Sequence, residues 1–114
     1  MGITFEDIGS QLRRIDISGR LDIPGTEEIA IKFAAMAVAD QRKVIVDLTQ
    51  VSFLASIGIR AIITNAKALQ SRNGKMILHV GDNASVAKTL TTTGVDSLIP
   101  MFTDFSSAER AALE

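Results

Sequence analysis

Two short apolar runs, Lys43 to Leu48 around Val44-Ile45-Val46 and Met76 to Val80, flank a segment in which Ile59, Ile62, Ile63, Ala66 and Leu69 repeat at helical spacing. This strand–helix–strand pattern constrains the fold more than any other feature. The runs are too short and, in the first case, too β-branched for helices, and their continuous apolar character predicts strands covered on both faces. A helix joining two such strands is a crossover, which is right-handed in nearly all known sheets and leaves the strands parallel.

The remaining segments extend this unit in both directions. Ile3 to Ile8 and Leu12 to Ser18, with Gly9-Ser10 between them, predict a β-hairpin whose second strand carries Leu12, Ile15 and Ile17 and ends at Gly19. Pro24-Gly25-Thr26-Glu27-Glu28 predicts a helix start, with the threonine hydroxyl as cap and acids in the first turn. That helix should run to about Asp40 and bury Ile29, Phe33, Met36 and Ala37. Asn73-Gly74 reads as a turn, and Gly81-Asp82-Asn83 turns the chain into a third helix with Val86, Ala87 and Leu90 inward and Gly94 at its end. Leu98 to Phe102 reads as a short last strand. Ser106-Ser107-Ala108-Glu109 has the spacing of a capping box opening a final helix. The sum is an α/β fold: a mixed, mostly parallel sheet with an N-terminal hairpin and about four helices.

A chain of 114 residues fits a single domain, 1–114, with one core. With 12 basic against 13 acidic residues, nothing suggests direct contact with nucleic acid or an anionic membrane, so partners must be recognised by shape. The apolar runs are broken well short of the roughly 18 residues that would suggest a membrane span. Cysteine is absent, which removes disulfides, thiolate metal sites and cysteine nucleophiles, and the start of the chain shows no signal-peptide pattern. A cytoplasmic location is the expectation. The one histidine, His79, lies in an apolar strand and is expected to be structural or solvent-facing. No resident cofactor is indicated.

The stretch Val46-Asp47-Leu48-Thr49-Gln50-Val51-Ser52-Phe53-Leu54-Ala55-Ser56-Ile57-Gly58-Ile59-Arg60 reads as a buried strand, a short loop and a serine at the mouth of an amphipathic helix. Ser56 is expected at or near the N-cap, where free N–H groups and the positive helix end favour an oxygen acceptor or an anion. From residue type alone it is a capping serine, Gly58 a small residue allowing close packing, Asp22 a turn acid and Arg60 a solvated helix residue.

Asp47-Leu48-Thr49 followed by Ser56-Ile57-Gly58 resembles the phosphorylation loop of the STAS family, specifically its anti-sigma factor antagonists. Gly19-Arg20-Leu21-Asp22 resembles that family's glycine-glutamate-leucine-aspartate turn, with Arg20 in place of the acid, and Ala55 stands where many members carry aspartate. The resemblance implies that Ser56 is a phosphoacceptor. It implies a partner surface of Arg20, Leu21 and Asp22 at one strand end, Ala55, Ile57, Gly58, Ile59 and Arg60 around the serine, and Asp82 and Asn83 on the same rim. The implied partners are an anti-sigma factor with serine kinase activity, which would bind the unphosphorylated form, and a PP2C-type phosphatase that restores it. ATP and metal would belong to those partners, and the free chain is expected to be a monomer without an active site.

Other readings are weaker. A hydrolase nucleophile elbow needs glycine on both sides of the serine, but Leu54 occupies the first position and only Gly58 matches the second. A nucleotide-binding domain lacks a Walker glycine-lysine loop. A non-switching STAS scaffold or transporter subunit remains the alternative, and would assemble stably whatever the state of Ser56.

Overall fold

Among the described residues, five strands and four α-helices follow the sequence periodicities in the order β1 (Gly2–Ile8), β2 (Leu12–Leu21), α1 (Ile23–Ala37), β3 (Lys43–Leu54), α2 (Ser56–Gln70), β4 (Lys75–His79), α3 (Ala84–Thr92), β5 (Met101–Phe102) and α4 (Phe105–Leu113). The structure, a computed structural model, describes residues 2–114. Strand order in the sheet equals chain order, with β1 antiparallel to β2 and every later pair parallel. Each right-handed crossover therefore steps in the same direction and lays α1, α2 and α3 on one face, leaving the other to α4.

The central strand shows why both faces are apolar. Val44 and Val46 point into the main core with Ile15, Ile29, Phe33, Ile62, Leu69 and Leu90, while Ile45 points the other way to Leu12, Ile77, Ala108 and Ala112. The α4 end is held by cations projecting from the sheet: Lys75 Nζ donates to the carbonyls of Ala111 and Glu114 at 3.1 Å each, and Lys43 Nζ to Leu113 at 3.4 Å. Positive charge is favourable there because the last helical carbonyls lack intrahelical donors. No helix among the described residues is long and apolar enough to cross a membrane.

Several local expectations are corrected. β2 does not end at Gly19 but runs to Leu21, and β3 does not stop at Leu48 but continues to Leu54. Two register shifts between these strands each give β3 one additional residue, and Gly19 takes φ of +94° beside the second shift, a conformation favouring glycine. In α1 the cap is Asp22, which accepts from Gly25 N–H at 3.0 Å, not Thr26; the helix has no acid in its first turn and ends at Ala37. Thr26 is 3% exposed and its hydroxyl has no partner among the described residues. In α4 the cap is Asp104, accepting from Ser107 N–H, so Ser106 does not open a capping box. The last strand is only Met101–Phe102, because Val95–Ser97 forms a 3-10 turn.

Candidate functional site

The end of β3 leads into α2 through one residue, Ala55, so no loop separates strand from helix. Ala55 is the N-cap and Ser56 the first helical residue, exposed and making no capping hydrogen bond. The contrast with the other α-helices is direct: α1, α3 and α4 begin on Asp22, Asn83 and Asp104, each accepting from a first-turn N–H. The first turn of α2 therefore keeps backbone donors that no side chain of the cap satisfies, next to an exposed serine hydroxyl.

Gly58 fixes where this helix start sits. A β-carbon there would lie 2.8 Å from Leu21 Cβ and 2.9 Å from the Leu21 carbonyl, so only glycine lets α2 begin against the end of β2. Ala55 N–H donates to the same Leu21 carbonyl at 3.0 Å. Together these contacts bring Leu21 and Asp22 beside Ala55, Ser56 and Gly58. Ile57 and Ile59 are half-buried, with Ile59 packed on the core, and Arg60 is exposed one turn beyond Ser56 on the same side of α2.

Asp22 has two local partners: Gly25 N–H, through its capping bond, and Arg20, whose Nε lies 3.1 Å from the carboxylate. The Gly25 bond, and then Arg20, hold its carboxyl below the usual carboxylate range. A depressed folded value stabilises above the unfolded pKa of about 3.9, and that contribution is lost as pH falls through the folded value. Asp22→Ala should thus lower Tm as well as alter the rim. Asp22→Asn should keep the cap at pH 7, and its stability deficit against the parent protein should shrink below about pH 3.9, as read by thermal unfolding across pH.

Asp82 and Asn83 are placed differently. Asp82 is exposed, but Asn83 is turned inward: its carbonyl oxygen accepts from Val86 N–H at 3.3 Å, and its amide donates to the carbonyls of Leu48 at 3.0 Å and Val51 at 2.7 Å. Asn83 thus fastens the head of α3 to β3. His79 lies on the α4 face, with Nδ1 3.2 Å from Asp47 Oδ2 and its ring edge-on to Phe105. The other Asp47 oxygen accepts from the N–H and hydroxyl of Thr49 at 2.9 and 2.6 Å.

Sequence reasoning missed two apolar side chains on the rim. Phe53 is 42% exposed with the Arg20 guanidinium 4.5 Å from its ring centroid, and Ile23, directly after Asp22, is 62% exposed. The Arg20–Phe53 pairing depends on the shifted β2–β3 register, which residue types alone do not disclose.

The sequence model of the STAS domain matches residues 9–108. The chain belongs to the STAS family. Among similar solved structures, an anti-sigma factor antagonist from Mycobacterium paratuberculosis superposes with a TM-score of 0.86 at 20% identity, covering 99% of this chain and 94% of that one. An anti-sigma-factor antagonist (STAS) domain protein from Planctomyces limnophilus gives 0.82 at 26% identity, covering 96% of each chain. The Bacillus cell fate determinant SpoIIAA in its phosphorylated form gives 0.66 at 18% identity, covering 96% of this chain and 99% of that one. No curated protein matches the chain.

Proposed function

We propose that this STAS domain is an anti-sigma factor antagonist in a cytoplasmic partner-switching module, with Ser56 as its phosphoacceptor. The observation that carries the reading is the exposed serine at the one α-helix start, among the four described, that lacks a side-chain cap. The descriptions of the similar structures from Mycobacterium and Planctomyces as antagonists support the role. The existence of SpoIIAA in a phosphorylated form supports the chemistry.

The unphosphorylated domain binds an anti-sigma factor that is also a serine kinase, through Arg20, Asp22 and the first turn of α2. The kinase transfers the γ-phosphoryl group of ATP to the Ser56 hydroxyl, whose proton is lost as ADP leaves. A PP2C-type phosphatase hydrolyses the ester and resets the switch. Phosphate adds about −1.5 to −2 charges at neutral pH, which the open N–H groups of α2 accommodate in the free domain and a close interface does not. Intact-mass analysis and peptide mapping after incubation with the kinase and ATP should find one phosphate, on Ser56. Modification of Thr49, Ser52 or Thr91 to Thr93 with Ser56 untouched would refute the assignment.

A further inference from the structure

Six of the seven arginines in the chain are engaged, and Arg60 is the exception. Arg13, Arg14, Arg20 and Arg72 pair with carboxylates, while Arg42 and Arg110 donate to the Met36 carbonyl and the Ser107 hydroxyl. Arg60 is exposed and has no hydrogen bond, ion pair or ring contact among the described residues. Its own helix explains why: α2 contains no aspartate or glutamate, so no acid stands three or four residues away. The Asp22 carboxylate is already committed, one oxygen to Gly25 N–H at 3.0 Å and the other to Arg20 Nε at 3.1 Å. The positive end of a helix does not favour a nearby cation, so Arg60 gains nothing from its place until an anion is present.

Helix geometry sets its reach. Ser56 and Arg60 are four residues apart on one side of α2, a spacing that puts β-carbons about 5–6 Å from each other. Long helical side chains lean toward the N-terminus, which directs the Arg60 guanidinium back over the first turn and toward the Ser56 hydroxyl. A guanidinium can grip phosphate oxygens through two parallel N–H bonds. Phosphate on Ser56 would stand beside a like charge in Asp22, and Arg20 is spent on that carboxylate. Arg60 is the guanidinium left to offset the new charge.

Resting on the assignment of Ser56 as phosphoacceptor, we infer that Arg60 is the positioning residue of the phosphorylated state: it pairs with the phosphate of its own chain and holds it against the first turn of α2. Phosphorylation then changes two side chains of the rim at once, adding an anion and occupying the Arg60 guanidinium.

The test uses the full chain with phosphoserine incorporated at position 56 during translation, so that no kinase is needed. Phosphorus NMR across pH, at an ionic strength below about 0.05 M, reads the second ionisation of the phosphate, ordinarily near 6. Arg60→Gln should lower that acid constant about twofold, and Arg60→Lys should restore most of the loss. The Arg60 Nε–H resonance should shift through the same titration. Phosphorylation should raise Tm less in Arg60→Gln than in the parent protein, while the unmodified forms of the two melt together. Lys67→Gln, two turns further along α2 and exposed, is the control and should change none of these readings. Equal acid constants for Arg60→Gln and the parent would overturn the inference. A loss confined to Arg20→Gln would overturn it too, by giving the phosphate to Arg20. Since the phosphate is placed without an enzyme, a kinase that modifies another residue would refute the phosphoacceptor assignment without moving these constants.

Discussion

Gly25→Ala should destabilise the domain by about 3 kcal/mol, near the upper end of ordinary overpacking effects, and lower Tm by roughly 10–20 °C. The new β-carbon would lie 2.0 Å from the Arg20 carbonyl and 3.1 Å from the capping oxygen of Asp22. Neither neighbour is the free end of a flexible side chain, so the start of α1 must lift from the end of β2. Gly9→Ala is the control: its φ of +71° costs about 1–2 kcal/mol, but nothing lies within 4 Å of the added carbon. Thermal or urea unfolding of both variants decides the matter. A loss under about 1 kcal/mol at Gly25 would mean that α1 is not seated on Arg20 as described.

Ser56→Asp should reduce binding to the kinase about a hundredfold while leaving Tm unchanged or slightly raised. A hundredfold change needs only about 2.7 kcal/mol at the interface. In the free domain a carboxylate at the first position of α2 is favoured by roughly 0.3–1 kcal/mol, because the first-turn N–H groups and helix dipole face it. Ser56→Ala should bind constitutively. Amide shifts on phosphorylation should cluster around Ala55 to Arg60 and Asp22, since Gly58 and the Ala55–Leu21 bond anchor this turn to the sheet. Shifts spread through β4 and α4 would show a global change instead of a local one.

The parallel core was legible because its signals are strong and local. Val44, Ile45 and Val46 admit only a doubly covered strand, and Ile59, Ile62, Ile63, Ala66 and Leu69 keep helical spacing throughout. The second half of β3 was not legible, since Thr49-Gln50 is polar and the register shifts break alternation, leaving Val51 and Leu54 buried with Ser52 and Phe53 exposed between them. The short loop expected before α2 is therefore absent: Ala55 takes the cap, and Ser56, expected at or near it, begins the helix. The Asp22 cap carried a readable signal in Pro24, which prefers the first helical turn and so points to a cap just before it. Its Arg20 partner and the stacking on Phe53 required the strand pairing itself.

Partner switching by this domain requires that phosphorylation of Ser56 end partner binding. Calorimetric titration of the anti-sigma factor kinase with unmodified and Ser56-phosphorylated protein, at one salt concentration, measures that directly. Tight binding is expected for the unmodified protein, and a Kd about a hundredfold higher for the phosphorylated form. Equal affinities for the two forms would contradict it.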